Sequence, residues 1–257
     1  MDDQSRRQDR DNHRSRARPG RSHRHLFAAS GARVFLTDVL TEEGEGIAAG
    51  IGKAATFRRL DVASQQNWAD LVSEVEQIAG KVDILVNNAA LADSTPFLEL
   101  SPQRVDQMIT VNLKGCILGM QAVLPGMIDR GSGSIINISS INGLRGTGGT
   151  AAYDATKWGV RGLSKSVALE FADRGIRVNS VHPGAIDTPM LNPGGGDMSG
   201  LAKSFRVPMG RVGEPTEVAY ASLFLASDAA SYISGAELAV DGAWSAGVVL
   251  GRIGDHR

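Results

Sequence analysis

The sequence predicts a single α/β domain built on a doubly wound parallel sheet, and three observations carry that prediction. From residue 32 onward, short β-rich runs alternate with longer amphipathic stretches, the pattern of a parallel sheet covered by helices on both faces. At 257 residues with 42% hydrophobic content, the chain is long enough for one such domain and apolar enough for a sizeable core. No internal repeat or composition shift marks a second domain beyond residue 26.

Taken in order, strands are expected at Arg33–Thr37, Thr56–Arg59, Ile84–Val86, Ser134–Ile138, Arg177–Val181 and Glu237–Val240. Helices are expected between them. Thr41–Ile51 is weakened by Gly44 and Gly46, and the others are Ser64–Ala79, Ser101–Asp129, Ala152–Arg174 and Thr216–Ala226. Ser64, Ser101 and Thr216 are the expected N-caps, with Pro102 at the first helical position after Ser101. The Gly- and Pro-rich segment Leu191–Met209 reads as a long surface loop.

Bulk composition excludes several classes of function. A net charge of −1 gives no overall attraction to nucleic acid or to an anionic membrane, since the basic excess is confined to the first 25 residues. The one cysteine, Cys116, rules out an internal disulfide and lies in an apolar helix as a small core residue. No uninterrupted apolar run reaches the roughly 18–20 residues that span a bilayer, and no signal peptide is evident, so a cytoplasmic protein is expected. No residue set suggests a metal site.

Chemistry is concentrated in one stretch. Tyr153 and Lys157, in Tyr-Asp-Ala-Thr-Lys, are four residues apart and share a helix face. An ammonium held beside a phenol favours the phenolate, so the pair can move a proton as one unit. Alone, this spacing is also that of an ordinary amphipathic pair. Its context decides the matter. Ser140, thirteen residues before Tyr153, closes the buried-strand pattern Gly-Ser-Ile-Ile-Asn-Ile-Ser-Ser. Asn112 sits in Val-Asn-Leu-Lys-Gly, and Asn87-Asn88-Ala89 ends another apolar run. Ser139 neighbours Ser140, but strand alternation points the two hydroxyls to opposite faces.

In their order and spacing these motifs resemble the short-chain dehydrogenase/reductase family, over residues 26 to about 250. The stretches KWGVRGLSK and SYISGAELAVDG are similar to those of bacterial hydroxysteroid dehydrogenases of the 3-alpha/20-beta type. The resemblance implies a Rossmann-like fold and NAD-dependent interconversion of a secondary alcohol and a ketone, on a steroid-like or other hydrophobic alcohol. It implies a catalytic set of Asn112, Ser140, Tyr153 and Lys157, with Asn112 supporting a water that links Lys157 to solvent. It also implies assembly into homodimers or homotetramers.

Further cofactor contacts follow from the same comparison. Asp38 closes the second strand of such a fold, where an acid accepts hydrogen bonds from the adenosine ribose and repels a 2′-phosphate, which points to NAD. The absence of a basic residue just after it, in Val39-Leu40-Thr41, agrees. Asp61 and Val62 correspond to the pair that flanks adenine, although Asp61 also reads as a helix-capping aspartate. Asn88 and Ala89 belong to the Asn-Asn-Ala-Gly motif, in which Ala90 replaces the final glycine and disfavours a positive φ. Pro183, Gly184, Ile186 and Thr188 resemble the nicotinamide-facing segment, and Tyr153 and Lys157 complete the set. His182 reads as structural, because Tyr153 and Lys157 already supply the proton-transfer group. Trp158 and Trp244 read as core or interface aromatics.

One motif is missing. A chain of this kind opens with a strand, then Thr-Gly-x-x-x-Gly-x-Gly, then a helix whose N-terminus holds the pyrophosphate. Residues 5–25 instead carry eight arginines, three histidines and a single glycine, Gly20. Helical patterning resumes only at Leu26, so residues 1–25 are set apart as an aberrant basic segment before a domain at 26–257. The genetic code suggests a displaced reading frame. Joining the last two bases of one codon to the first of the next, Asp9–Arg10, Asp11–Asn12, Asn12–His13 and His13–Arg14 each encode only Thr or Ile. With permitted codons, Arg7–Arg16 gives Gly-Lys-Thr-Ala-Ile-Ile-Thr-Gly-Ala. The Arg18–Pro19 and Gly20–Arg21 junctions can both encode Gly, which completes the motif in register with Leu26. The fold is therefore expected with its first strand and glycine-rich loop disrupted. Two rival readings follow: a catalytically impaired relic that cannot hold the dinucleotide tightly, and a nucleic-acid-binding arm. The ordinary charge of residues 26–257 argues against the arm.

Overall fold

The computed structural model describes residues 19–192 and 194–248. Its strands are β1 Val34–Asp38, β2 Ala55–Arg59, β3 Ile84–Asn87, β4 Gly133–Ile138, β5 Ile176–Pro183 and β6 Glu237–Val240. All pair in parallel, in a two-stranded part with order β1-β2 and a four-stranded part with order β3-β4-β5-β6. Among the described residues, β1 has a partner only in β2, and β3 only in β4. The expected loss of a central strand concerns residues 1–18, which lie outside the described residues.

The first described helix, α1, spans Pro19–Ala29, and so begins ahead of the expected start at Leu26. Pro19 suits a first helical position, where its missing N–H has no intrahelical acceptor. Ser22, His23 and Phe27 are buried, and His23 Nε2 lies 2.8 Å from the Ser222 hydroxyl. Part of the basic segment thus belongs to a packed helix, a feature that Arg- and His-rich composition conceals.

The remaining helices are α2 Thr41–Ile51, α3 Gln65–Ala79, α4 Pro102–Met108, α5 Gly115–Arg130, α6 Ala151–Phe171, α7 Ser199–Ser204 and α8 Pro215–Ala226. Ser64 caps α3 by accepting from the Asn67 N–H, Gly80 closes it in the left-handed region, and Trp68 and Val75, two turns apart, are buried. Ser101 caps α4 as expected. The cap of α8 is Glu214, not Thr216: Pro215 takes the first helical position, and Glu214 and Glu217 form a reciprocal capping box. The expected loop Leu191–Met209 also contains the short helix α7.

One expected helix is interrupted. Ser101–Asp129 reads as continuous, but Ile109–Lys114 forms a π-helical turn between α4 and α5. Such turns occur where a side chain is aimed at a functional position, and this one carries Asn112. Pro102–Arg130 is the one described helical run long and apolar enough to cross a membrane by length and composition. Half of its most apolar stretch is buried inside the domain, as in a core helix.

Strand alternation divides the core between the sheet's faces. On one face Ile135 and Val178 pack with Leu60, Trp68, Leu118 and Met127. On the other, Ile136, Ile138 and Val181 pack with Val218 and Leu225 of α8. Burying each such side chain contributes about 1.5–3 kcal/mol. The helices therefore cover both faces and leave the carboxyl ends of the strands open to loops.

Candidate active site

Parallel pairing puts every strand's carboxyl end on one edge of the sheet, the place where doubly wound folds hold ligands. Asp38 closes β1, Asp61 and Val62 follow β2, and Asn88 and Ala89 follow β3. Ser140 follows β4, while Pro183 ends β5 and Gly184, Ile186 and Thr188 follow it. Within each of the two parts, β1-β2 and β3-β6, the strand-end residues singled out in the sequence therefore fall at the carboxyl edge. Helix α6 and the π-turn add Tyr153, Lys157 and Asn112.

Lys157 is 2% exposed, and its Nζ donates to the Ile138 carbonyl at the end of β4, 2.9 Å away. The same nitrogen lies 5.6 Å from the centre of the Tyr153 ring, one turn earlier on α6. An ammonium has three donors, so the bond to β4 leaves others to face the edge. Ser140 is extended, at φ −167° and ψ 163°, and its Oγ accepts from the Asn142 N–H at 3.1 Å. That bond leaves its own proton available. Ser139 turns the other way and donates to the Lys157 carbonyl at 3.0 Å, as the alternation requires. Gly143 lets this turn approach α6, because a Cβ there would stand 2.8 Å from the Lys157 carbonyl.

Asn112 is fully buried. Its Oδ1 accepts from the Leu91 N–H at 2.7 Å, while Nδ2 donates to the Leu91 carbonyl at 2.8 Å and to Thr156 Oγ1 at 3.1 Å. Thr156 in turn donates to the Tyr153 carbonyl at 2.7 Å. The side chain thus clamps the loop after β3 to α6, with both of its N–H groups committed to protein. Cys116 Sγ donates to the Asn112 carbonyl at 3.2 Å, and burial pushes its thiol up to about 11.

His182 is wholly buried; Nδ1 donates to the Ser140 carbonyl at 2.9 Å and Nε2 lies 2.9 Å from the Ser180 hydroxyl. Since a carbonyl can only accept, Nδ1 carries the proton. Burial holds the imidazole below its ordinary range, against the opposing pull of the Ser140 carbonyl, and so favours this neutral form. It braces Ser140 from behind, in keeping with a structural part.

The other residues hold local roles as well. Asp38 Oδ1 accepts from the Leu40 N–H at 3.2 Å. Asp61 Oδ1 accepts from Ala63 N–H at 2.9 Å, and the Val62 carbonyl accepts from the Trp68 indole at 3.1 Å. Asn87 is an internal strut, donating to Asn137 Oδ1 at 2.9 Å. Ala90 is not among the described residues with positive φ, so the turn there suits alanine. Gly184 N–H donates to the Val240 carbonyl at 3.0 Å, and a Cβ on Gly184 would meet Asp241 Cα at 2.8 Å. Ile186 bridges to Gly213, and Thr188 is buried. Next to this segment is a cavity of about 280 Å³, lined in part by Ile186, Met209, Arg211 and Asp241. Direct contacts join Asn112, Tyr153, Lys157 and the Ser139–Ser140 turn, whereas Asp38, Asp61 and Val62 stand apart on the β1–β2 side of the edge.

Two features escape the motif reading. Asp154, next to Tyr153, is buried and accepts from Asn142 Nδ2 at 2.7 Å, Thr150 Oγ1 at 2.7 Å and the Thr147 N–H at 2.8 Å. It fastens the loop between Ser140 and Tyr153 to α6; the Thr150–Asp154 spacing of four was the available signal. The second is a three-layer stack. Trp244 packs on Phe205 with ring centres 5.2 Å apart and planes 17° from parallel, and the Arg145 guanidinium lies 4.5 Å from the centre of the Trp244 ring. Trp158 is 45% exposed, with Arg161 over its ring.

Among the described residues, no group of three or more His, Cys, Asp or Glu could hold a metal ion. A doubly wound sheet with a helix-borne Tyr–Lys pair and a strand-end serine on its carboxyl edge defines an oxidoreductase class. The chain belongs to the short-chain dehydrogenase/reductase family: the family model described as Enoyl-(Acyl carrier protein) reductase matches residues 20–245. It is 42% identical over 229 residues to the 3-alpha-(or 20-beta)-hydroxysteroid dehydrogenase of Mycobacterium tuberculosis, covering 89% of this chain and 86% of that protein. It is also 42% identical over 238 residues to the trans-4-hydroxycyclohexanecarboxylate dehydrogenase of Sinomonas cyclohexanicum, covering 89% of each. The crystal structure of levodione reductase superposes with a TM-score of 0.84 at 31% identity, over 90% of this chain and 94% of that one.

Proposed function

We propose that the protein is a cytoplasmic, NAD-dependent dehydrogenase that reversibly oxidises a hydrophobic, ring-bearing secondary alcohol to its ketone. The single observation that supports this most is the buried Lys157, tied to the Ile138 carbonyl with its ammonium 5.6 Å from the Tyr153 ring. It fixes a proton-transfer pair beside a serine hydroxyl whose proton is free. Named relatives are dehydrogenases of a hydroxysteroid and of trans-4-hydroxycyclohexanecarboxylate, which favours a cyclic alcohol.

The residues of the edge fit a nicotinamide dinucleotide. Asp38 offers a carboxylate to the adenosine ribose, which favours NAD over its 2′-phosphorylated form. Asp61, Val62, Asn88 and Ala89 would flank the adenine side. Pro183, Gly184, Ile186 and Thr188 would face the nicotinamide, with Lys157 donating to its ribose. The dinucleotide, when bound, supplies the hydride acceptor for alcohol oxidation.

The chain's own groups handle the oxygen and the proton. Ser140 Oγ donates to the substrate oxygen and holds it beside Tyr153. Tyr153, as phenolate, takes the hydroxyl proton, and it returns that proton when a ketone is reduced. Lys157 keeps its ammonium 5.6 Å from the centre of the Tyr153 ring. Asn112 positions α6 through Thr156; a water linking Lys157 to solvent would use the remaining acceptor capacity there.

The test is turnover of cyclic secondary alcohols, followed by NADH absorbance. Asp38→Ala should relax the preference for NAD; an unchanged ratio of NAD to NADP efficiency would reject the ribose role. The π-turn and α6 leave Ile109, Trp158 and Leu169 exposed, which favours a homodimer or homotetramer that light scattering would detect.

A second reading, an impaired relic, is favoured by the missing Thr-Gly-x-x-x-Gly-x-Gly motif and by the unpartnered edges of β1 and β3 among the described residues. Calorimetric titration with NADH separates the two: stoichiometric binding sinks the relic.

A further inference from the structure

Arg145 stands on the loop joining Ser140 to Tyr153. Its guanidinium is stacked on Trp244, which is stacked on Phe205, so three segments that leave the sheet's carboxyl edge meet in one column. Phe205 follows α7 and Trp244 follows β6. Among the described residues this cation has no ion pair and no side-chain hydrogen bond, and its Nε is buried without any partner.

That arrangement is costly as it stands. Other half-buried arginines here are matched: Arg104 to Asp93 at 2.7 Å and Arg161 to Glu237 at 2.6 Å. A cation–π contact gives the guanidinium an attractive neighbour, but it does not satisfy a buried donor left without an acceptor. The nearby carboxylate Asp241 accepts from the Ser245 N–H at 2.8 Å instead. What the column lacks is an anion. A carboxylate would meet the guanidinium in a charge-assisted pair, with the saturated ring that bears it packed beside the column.

We infer that Arg145 is a specificity-determining residue that recognises a carboxylate on the substrate, so that the preferred alcohol is a hydroxylated alicyclic acid rather than a neutral alcohol. This rests on the dehydrogenase reading above. The pair is a binding contact, and no proton or hydride passes through it.

The experiment compares two alcohols of similar shape, trans-4-hydroxycyclohexanecarboxylate and trans-4-methylcyclohexanol, with the full chain and its Arg145→Met and Arg145→Lys variants. The wild type should favour the acid by at least about tenfold in kcat/KM, equivalent to about 1.4 kcal/mol. Arg145→Met should erase that preference through KM, leave the neutral alcohol within about twofold, and Arg145→Lys should restore part of it. A wild type without preference, or an equal loss on both alcohols, overturns the inference, since a residue that merely braces the loop would lower both. Calorimetry with cyclohexanecarboxylate gives a reading independent of turnover, on the chain as written and on one carrying the restored glycine-rich segment. Binding weakened at least about tenfold by Arg145→Met supports the inference; equal binding by both proteins, or none by the wild type, overturns it. Binding that Arg145→Met weakens, without turnover of either alcohol, supports the carboxylate contact at Arg145 and removes the dehydrogenase reading together with the alcohol preference.

Discussion

The β3–β6 part of the sheet and the β1–β2 part carry comparable strands but very different support. β4 and β5 each have a strand on both sides, and the loop after β4 is fastened by Asp154, His182 and Lys157. β1 has one strand partner among the described residues, β2, and Asp38 at its end accepts from the Leu40 N–H of its own loop at 3.2 Å. The proton-transfer side is thus specified several times over. On the proposed function, the dinucleotide side would depend on the first 25 residues, which lack the Thr-Gly-x-x-x-Gly-x-Gly motif. Catalytic geometry and cofactor retention can fail independently in such a molecule.

The strongest test of that asymmetry removes a proton-transfer group without touching the cofactor side. In the frame-restored protein, Tyr153→Phe is expected to lower turnover of secondary alcohols by at least about 10²-fold while NADH affinity by calorimetry stays near that of its parent. Retained turnover would place the chemistry elsewhere. Asp154→Ala should come next, because it removes the acceptor of the Thr147 N–H and of one Asn142 N–H, while the Thr150 hydroxyl keeps the Thr147 carbonyl. The expected loss is about 2–3 kcal/mol of stability in urea unfolding, and an unchanged midpoint would show the loop to be held by other means. Restoring Thr-Gly-x-x-x-Gly-x-Gly by resetting the frame across residues 7–25 should tighten NADH binding at least about tenfold, or about 1.4 kcal/mol. The chain as written is expected to be the weaker binder or insoluble. Equal affinity, on protein whose N-terminal peptides are confirmed by mass spectrometry, would show the basic segment to be a competent substitute.

The smallest effect concerns acid. Arg161 and Lys165 beside Glu237 hold its carboxyl down to about 2, from an ordinary value of 4.5. A folded-state value below the unfolded one gives stability that is fully present above about pH 4.5 and lost as pH falls toward 2. Solvent screening keeps the contribution to about 1 kcal/mol. Glu237→Gln should flatten the acid limb of a stability–pH curve by that amount; an unchanged limb would assign it to other carboxylates.

Much of this was legible in the sequence because it rests on periodicity and spacing. The strand Glu237–Val240 and the helix Thr41–Ile51 fall where the pattern puts them. The β-branched run before Ser140 marks a strand, and the four-residue step from Tyr153 to Lys157 marks a helix face. Other features depend on contacts between distant residues. The π-turn exists because Asn112 must reach Leu91, which nothing in Ile-Thr-Val-Asn-Leu-Lys announces. Helix α1 reaches back to Pro19 with Ser22 and His23 buried and His23 against Ser222 of α8, where the sequence marked only an aberrant basic segment. The Arg145–Trp244–Phe205 column joins three loops about sixty and forty residues apart, a juxtaposition that no local pattern encodes.

Cys116 has a practical consequence. Its sulfur is buried with its proton given to the Asn112 carbonyl, and burial raises the thiol to about 11. Near pH 8 it holds almost no thiolate, so maleimides and iodoacetamide should leave the folded protein unmarked. The chain, with one native cysteine, is therefore ready for site-directed spectroscopy. A cysteine introduced at an exposed position such as Tyr232 would be the sole site to take up a fluorophore or spin label. Slow appearance of label on the unaltered chain would then report how often the helix carrying Cys116 opens, a clock for global unfolding that needs no mutation at all.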